Sequence, residues 1–257
     1  MQKISDGFLV NSAWLERQGV SRFLTRAWVN SGWLKRIEPG LFQKVSEFSD
    51  AHIHSERALL SAQHLMTYDF HVGSYHALRL FGVEHYLHLG AKPASWVYGE
   101  QLPNWLTRIN LDAPVITRRR SLFSDSTLGI TERPLPGTGS DLRMRVATPE
   151  RAIFEALGEI DGWVGFDLAD KTIQGLTVLR PQLLAALLAD CKKIWVKRLF
   201  FVFADRYRYP WRARLSPGDY DLGVGDRAIS PGGKLHPVYR VVIPEEYVPS
   251  DERPVDY

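Results

Sequence analysis

Histidine and acidic residues are the first groups in this sequence that could do chemistry. Seven of the eight histidines lie between residues 52 and 88, with the spacings His52-x-His54 and His85-x-x-His88. Imidazole nitrogens ligate zinc, but these spacings match no zinc signature with cysteine partners, and no HExxH motif is present. We therefore favour surface or hydrogen-bonded histidines over a metal site, and we expect neither a metal nor another cofactor.

The Asp219-x-Asp221 pair suggests a second kind of chemistry. Paired carboxylates can hold Mg²⁺ for nucleotidyl transfer when a Gly-Ser nearby grips the phosphates. The only Gly-Ser in a suitable setting, Gly73-Ser74, lies far upstream and has no acids after it. We expect Asp219 and Asp221 to be turn and capping residues. No GxSxG, P-loop or GxGxxG motif occurs, and nothing pairs Cys191 with a histidine, so the sequence favours a protein that is not an enzyme.

Basic and polar side chains at helical spacing form a third group, between residues 19 and 44. Arg22 and Arg26 are four residues apart and would lie on the same side of a helix. Arginine, asparagine and threonine are side chains that bind phosphates and base edges in a major groove. The predicted DNA-binding residues are Ser21, Arg22, Thr25, Arg26, Asn30, Lys35 and Arg36.

A short helix from Ser21 to Ser31 must position most of these residues. Ser21 can serve as its N-cap, and Gly32 falls where a glycine ends a helix by adopting a positive φ. We expect an apolar stripe to face a core, formed by Phe23, Leu24, Ala27 and Trp28. The opposite face would then present Arg22, Thr25, Arg26, Val29 and Asn30.

A hairpin follows this candidate recognition helix. Residues 33–37 and 41–44 read as strands joined by Glu38-Pro39-Gly40, which suits a type II turn. The hairpin would be the wing of a winged helix-turn-helix, with Trp28 and Trp33 in its small core. A preceding helix from Asn11 or Ser12 to about Gln18 completes the motif. Few residues remain for the helix that usually braces such a module, unless Ile4, Phe8 and Leu9 provide it.

Net charge is concentrated in the same stretch. Residues 1–45 hold seven lysines and arginines against three acids, a net of +4, whereas the whole chain carries only +3. This excess favours a polyanionic partner, because neutralising phosphates and releasing counterions dominate affinity for DNA. A solvated basic surface is the alternative.

Composition and the placement of proline, glycine and polar residues predict an α+β protein with two domains. A winged helix-turn-helix over residues 1–48 would precede a larger mixed α/β domain over residues 49–257, with the polar stretch Ser46 to Asp50 as the boundary. Further helices are predicted over 50–67, 74–81, 148–157, 181–191 and 196–204, and strands over 86–89, 96–98, 115–117, 142–146 and 239–243. No apolar run approaches the roughly 18 residues of a membrane span, and the single cysteine fits a reducing cytoplasm.

A second basic surface is predicted in the larger part. Its candidates are the run Arg118, Arg119 and Arg120 and the arginines Arg206, Arg208 and Arg212 of a segment that alternates cations with aromatics. Such alternation occurs on nucleic-acid-binding surfaces. A solvated loop with its aromatic side chains packed inward is an equally good interpretation.

Several motifs together resemble a known family, the AbiEi antitoxins of type IV toxin-antitoxin systems. In the front part these are Gly19-Val-Ser-Arg, Ser31-Gly-Trp-Leu-Lys-Arg and Pro39-Gly-Leu-Phe. Further motifs follow in the family's order and include residues 72–87, Leu102-Pro-Asn-Trp, Thr148-Pro-Glu-Arg-Ala-Ile, Gly175-Leu-Thr-Val-Leu-Arg-Pro, Val196-Lys-Arg-Leu-Phe, Asp221-Leu-Gly and Gly232-Gly-Lys-Leu-His-Pro-Val-Tyr-Arg.

The resemblance implies an autorepressor that binds double-stranded DNA at inverted repeats in its own promoter. It also implies that the C-terminal domain counteracts a cognate AbiEii-like nucleotidyltransferase toxin, directly or indirectly. Two alternatives stay open: a ligand-responsive winged-helix transcription factor, and an enzyme whose C-terminal domain modifies the toxin or a nucleotide. A cytoplasmic protein without a membrane partner is expected in each case.

Overall fold

The computed structural model describes residues 4–45, 52–83, 93–119, 121–135, 141–160 and 162–249, with backbone alone for 162–164. The fold is α+β, as predicted. Two compact units are present: Met1–Val72, His88–Ser121 and Thr131–Val146 form the first, and Gly73–Leu87, Leu122–Ile130 and Ala147–Tyr257 form the second. The boundary predicted after residue 48 lies outside the described residues and stays a prediction.

The first unit begins with a short strand, two helices and a hairpin, the arrangement of a winged helix-turn-helix. Its elements are β1 (Leu9–Asn11), α1 (Ser12–Arg17), α2 (Arg22–Asn30), β2 (Leu34–Glu38) and β3 (Leu41–Lys44). The three strands form an antiparallel sheet in the order β1-β3-β2. Helices α1 and α2 and the hairpin β2-β3, which we call the wing, lie where the sequence predicts them.

Local capping and turn chemistry explain these boundaries. Asn11 caps α1, since its Oδ1 accepts a hydrogen bond from the Trp14 amide at 2.8 Å. In the wing, Gly40 has a φ of +78°, the conformation that the third position of a type II turn requires after Pro39. Its amino-acid type is therefore fixed by the backbone.

The N-terminal segment braces this module as a strand. Ile4, Phe8 and Leu9 are buried, and β1 pairs with β3. Helix α3 (Ser55–Leu60), which continues as a π-helix over Ser61–Leu65, contacts the same strand. Ser61 Oγ accepts a hydrogen bond from the Leu9 amide at 2.9 Å and donates to the Arg57 carbonyl at 2.6 Å. Ile4, Phe8 and Leu9 thus brace the module, but through a strand and its flanking residues rather than through a helix.

A mixed five-stranded sheet forms the rest of the first unit. Its strands are β4 (His71–Val72), β5 (Ser95–Tyr98), β6 (Val115–Arg118), β7 (Ile130–Pro134) and β8 (Arg143–Ala147). Their order is β6-β5-β4-β8-β7; β4 and β5 are antiparallel, whereas β5–β6 and β4–β8 are parallel. The strand predicted over 86–89 lies outside the described residues.

The second unit is mainly helical. Its elements are α4 (Ser74–Leu80), α5 (Pro149–Leu157), α6 (Gly162–Gly175), α7 (Pro181–Asp190), α8 (Ile194–Asp205), β9 (Arg227–Ala228), β10 (Lys234–Leu235) and β11 (Val241–Ile243). The three strands form a small sheet in the order β10-β11-β9. Helices α5 and α8 form the centre of the core, where the rings of Phe154 and Phe200 stack with centroids 4.7 Å apart.

Two buried charged side chains of the second unit, Arg151 and Glu155, form an ion pair. The Arg151 guanidinium donates to Glu155 Oε1 at 2.8 Å and to the Leu128 carbonyl at 2.7 Å. Glu155 Oε2 in turn accepts from the Ser74 amide at 3.1 Å, at a position where Ser74 adopts a φ of +51°. Both charged side chains are almost fully buried, so this network satisfies groups that would otherwise be costly to desolvate.

Helix α6 was not anticipated from the sequence. It lies in the chain between two predicted helices, and Phe166, Ala169 and Ile173 supply its buried positions. None of the helices in the described ranges has the length and apolar composition needed to span a bilayer.

Candidate nucleic-acid interface

Helix α2 has the caps that the sequence predicts. Ser21 Oγ accepts a hydrogen bond from the Leu24 amide at 3.2 Å, and the Thr25 hydroxyl donates to the Ser21 carbonyl at 3.1 Å. At the other end, Gly32 adopts a φ of +77°. Both ends of this nine-residue helix are therefore defined by local interactions.

The face that α2 turns outward differs from the prediction. Phe23 and Leu24, expected in a core, have exposed fractions of 83% and 39%. Thr25 and Val29, expected outside, are half-buried. Helical periodicity separates two faces of a helix but does not say which one packs, and here α1 and the wing lie on the side of Thr25 and Val29. Arg22, Arg26 and Asn30 remain exposed as expected.

A cleft of about 430 Å³ joins α2 to the wing. It is lined by Ser12, Glu16, Val20, Arg22, Thr25, Arg26, Val29, Asn30, Arg36, Gly40 and Phe42. The structure thus brings five predicted DNA-binding residues to one concave surface. Ser21 lies at the start of the same helix, and Lys35 precedes Arg36 in the wing.

Lys35 and Arg36 are both exposed on β2 but point to opposite faces of the strand, as successive residues must. Their register partners on β3 are Gln43 and Phe42. Arg36 lines the cleft, whereas Lys35 does not. The two cations would therefore reach different parts of a ligand.

Trp28 and Trp33 were expected in the small core of this module. Trp28 is half-buried, whereas Trp33 has an exposed fraction of 44%, and their ring centroids lie 6.0 Å apart. Lys44 Nζ lies 5.3 Å from the Trp33 ring. Trp33 is therefore outside the buried core, and Trp28 is only partly buried.

Ion pairs neutralise every acid among the described residues 4–45. Glu16 Oε1 lies 3.4 Å from Arg22 Nε, and Asp6 Oδ1 lies 2.9 Å from Lys44 Nζ. The wing acid Glu38 pairs at 2.7 Å with Arg108, which follows a short 3₁₀-helix over Asn104–Thr107. No sequence signal indicates that last pair, because the two residues are far apart in the chain.

Three cations of the interface have no such partner. Within the described ranges, Arg26, Lys35 and Arg36 make no ion pair and no side-chain hydrogen bond. Arg22 does pair with Glu16, but its side chain is 92% exposed. We call these four cations and Asn30 the α2–wing surface, which carries a net positive charge.

The arginines near residue 118, which are predicted to form part of a second basic surface, have local partners in the first unit. The Arg118 guanidinium lies 5.1 Å from the centre of the Trp96 ring. Arg119 donates to the Glu100 carbonyl at 3.3 Å and to Asn104 Oδ1 at 3.0 Å. Arg120 lies outside the described residues. Nucleic-acid binding at this position stays a prediction.

The arginines predicted near residue 208 belong to the second unit and differ from one another. Arg206 pairs with Asp170 at 2.9 Å, and Arg212 pairs with Asp205 at 2.6 Å. Arg208 is exposed, and within the described part of the chain it has no ion-pair or hydrogen-bond partner. The second basic surface stays a prediction, in which Arg208 is the best-placed cation.

The groups that suggested other chemistry do not meet in the described part of the chain. No three histidine, cysteine or acidic side chains of the described residues lie close enough to hold a metal ion. His85 and His88 lie outside those residues. Asp221 Oδ1 accepts the Gly223 amide at 2.8 Å, and Asp219 ends a short 3₁₀-helix. Both aspartates thus occupy turns, as expected.

Comparisons with known proteins agree with this architecture. The chain is similar in fold to the crystal structure of the RV2827C protein from Mycobacterium tuberculosis, with a TM-score of 0.56 and 16% sequence identity. The likeness covers 91% of this chain and 86% of that one. No curated protein matches the sequence.

Two family models cover nearly the whole sequence. Residues 1–89 match the model described as transcriptional regulator, AbiEi antitoxin N-terminal domain. Residues 92–244 match the model described as transcriptional regulator, AbiEi antitoxin, type IV toxin-antitoxin system. The chain therefore belongs to the AbiEi family of antitoxin transcriptional regulators of type IV toxin-antitoxin systems.

Proposed function

We propose that this regulator binds operator DNA of its own operon through the α2–wing surface and thereby represses transcription. A cognate nucleotidyltransferase-like toxin, encoded beside it, is the partner that it counteracts in the cytoplasm. Membership of a family of antitoxin regulators supports both parts of this proposal.

The distribution of charge on the α2–wing surface carries the DNA-binding part. Arg26, Lys35 and Arg36 lack carboxylate partners among the described residues, while the nearby acids Glu16 and Glu38 are neutralised. Such cations on a helix and an adjacent wing fit a polyanion, because each phosphate neutralised releases counterions.

Helix α2 would enter the major groove. Arg26 and Asn30 lie on its exposed side, and their side chains suit guanine and adenine edges respectively. Arg22, Lys35 and Arg36 would bind phosphates on either side of the groove. Ser21 and Thr25 have a supporting role, since their oxygens already hydrogen-bond within the first turn of the helix.

Antitoxicity is assigned to the part of the chain after the winged helix-turn-helix. This assignment follows from placing DNA binding on the α2–wing surface, which leaves the larger part of the chain for the second activity of an antitoxin regulator. Whether the toxin is bound or counteracted indirectly, the α2–wing surface should be dispensable for protection. The two activities can then be separated by substitution in the full-length chain.

A two-part cell assay tests the proposal. A reporter under the operon's promoter measures repression, and survival of cells expressing the neighbouring toxin measures protection. Arg22→Ala combined with Arg26→Ala should lose repression and keep protection. Arg214→Ala, an exposed arginine of the second unit, is the control and should keep both.

Other outcomes would point to other functions. Full repression by the double variant would contradict the assignment of α2. Lack of a neighbouring toxin gene would favour a ligand-responsive transcription factor. A Mg²⁺-dependent activity that Asp219→Asn abolishes would show an enzyme.

A further inference from the structure

Phe23 is the most unusual side chain on the exposed side of α2. Its exposed fraction is 83%, although it occupies the second position of a capped helix with a half-buried opposite face. Single exposed apolar residues are common on protein surfaces. What distinguishes Phe23 is its position beside the side chains assigned to base reading.

Helical spacing defines that position. Arg26 and Ala27 lie three and four residues after Phe23, on the same side of the helix, and Asn30 lies one turn beyond them. All four residues are exposed, while Thr25, Trp28 and Val29 form the half-buried side. Arg26 and Asn30 also line the cleft, whereas Phe23 and Ala27 do not. A ligand that extends from the cleft over the exposed side of α2 would therefore reach Phe23 and the small side chain of Ala27 as well.

The surrounding charge indicates what that ligand is. Arg22 directly precedes Phe23, Arg26 follows it by about one helical turn, and the nearby acid Glu16 is paired with Arg22. A second copy of this surface would bring like charges together, which disfavours self-association through this face. A polyanion with apolar groups among its polar edges is complementary to the same surface.

We propose that Phe23, with Ala27 beside it, contacts the C5-methyl group of thymine in the major groove. This inference rests on the proposed operator binding and adds a specificity determinant to it. Thymine is the base that presents a methyl group in that groove, and phenylalanine and alanine are among the side chains that contact it. Each half-site would then contain a thymine next to the base pair reached by Arg26, on the side away from the base pair reached by Asn30.

Deoxyuridine substitution tests this contact directly, since it removes the methyl group and keeps the Watson–Crick edge. The promoter segment protected by the wild-type protein would be prepared as two duplexes, one with thymine and one with deoxyuridine in the protected half-sites. Wild-type protein should bind the thymine duplex about fourfold more tightly for each methyl group that it buries. Phe23→Ala should lose most of this preference.

Controls separate this inference from the function on which it rests. Val178→Ala, an equally exposed apolar residue of the second unit, should keep the wild-type preference for thymine. An unchanged preference in Phe23→Ala, with binding still abolished in the double variant Arg22→Ala and Arg26→Ala, would overturn the thymine contact alone. Equal binding by wild type and that double variant would overturn operator recognition by α2 and, with it, the thymine contact.

Sedimentation of the same proteins tests the alternative that a second copy of the protein, rather than DNA, covers this face. Wild type and Phe23→Ala should have the same molar mass in solution. A shift from dimer to monomer in Phe23→Ala, without loss of the thymine preference, would show that a second copy covers Phe23 and would overturn the inference.

Discussion

Arg108 Nη2 donates a hydrogen bond to Glu38 Oε1 at 2.7 Å and thereby neutralises the acid that stands at the turn of the wing. Because that carboxylate lies beside the surface assigned to phosphate binding, its neutralisation should strengthen the binding of DNA. Arg108→Ala should weaken operator binding about two- to fivefold at low salt, the size of a largely exposed ion pair, and less at high salt. Fluorescence anisotropy with promoter DNA measures the change.

Glu38→Gln provides the matched control for Arg108. The amide carries no charge, so binding by Glu38→Gln should equal or exceed that of the wild type, and adding Arg108→Ala to it should change little. Equal losses from Arg108→Ala in the presence and absence of the Glu38 carboxylate would contradict the electrostatic role.

The Ser21 cap gives a prediction about stability. Ser21→Ala removes the side-chain acceptor of the Leu24 amide and should lower the free energy of unfolding by about 0.5–2 kcal/mol. Urea denaturation measures this loss. Ser21→Asn restores an acceptor at the N-cap and should recover most of it; equal losses in both variants would argue against the cap.

His76 predicts a dependence of stability on pH. Burial, reinforced by the charge of Arg79, lowers the pKa of His76 to about 3 from its ordinary value of 6.5. Between these values the unfolded chain binds a proton that the native state excludes. Stability is therefore retained above pH 6.5 and falls as the pH drops, by about 1.4 kcal/mol per pH unit from this residue.

Replacement of His76 tests that slope. Neither ring nitrogen of His76 has a hydrogen-bond partner in the described part of the chain, so His76→Leu should leave stability at about pH 7 nearly unchanged or higher. Urea unfolding between about pH 7 and about pH 4.5 should give a flatter profile for this variant. The exposed His52, changed to glutamine, should keep the wild-type slope. A wild-type slope in His76→Leu would refute the assignment.

The Glu150–Arg180 pair predicts a second dependence of stability on pH, in a more acidic range than that of His76. Burial alone raises the pKa of the Glu150 carboxyl, but hydrogen bonds from the Arg180 guanidinium and amide outweigh that effect, and the pKa lies below 4.5. The pair thus stabilises the fold above pH 4.5, and this contribution disappears as the pH falls through the lowered native pKa.

Glu150→Gln should accordingly lower the free energy of unfolding by about 1–3 kcal/mol at neutral pH, because a buried hydrogen-bonded charge is removed. The loss should shrink under acid, where the wild-type carboxyl is itself protonated. Asp167→Asn, which breaks the more exposed pair with Lys171, should cost less than about 1 kcal/mol. A loss from Glu150→Gln that does not depend on pH would contradict this account.

Features encoded by local interactions could be predicted from the sequence, and those that depend on distant residues could not. Ser21, Gly32 and Gly40 encode their caps and turns locally, so the bounds of α2 and of the wing were predictable. The side of α2 that packs was not predictable, because helical spacing does not say whether the face of Phe23 or the face of Thr25 contacts the rest of the protein. The Arg108–Glu38 pair could not be predicted because it joins distant parts of the chain. Helix α6 was missed because it lacks the N-terminal proline that marks the starts of α5 and α7.

Operator binding by purified protein tests the central claim most directly. The equilibrium constant for the promoter duplex would be measured across a range of salt concentrations for wild type, for Arg22→Ala with Arg26→Ala, and for the Arg214→Ala control. The double variant should lose specific binding, keep its thermal unfolding transition, and show a salt dependence shallower by about one unit for each phosphate that it no longer binds. Wild-type affinity and salt dependence in the double variant would contradict recognition through α2.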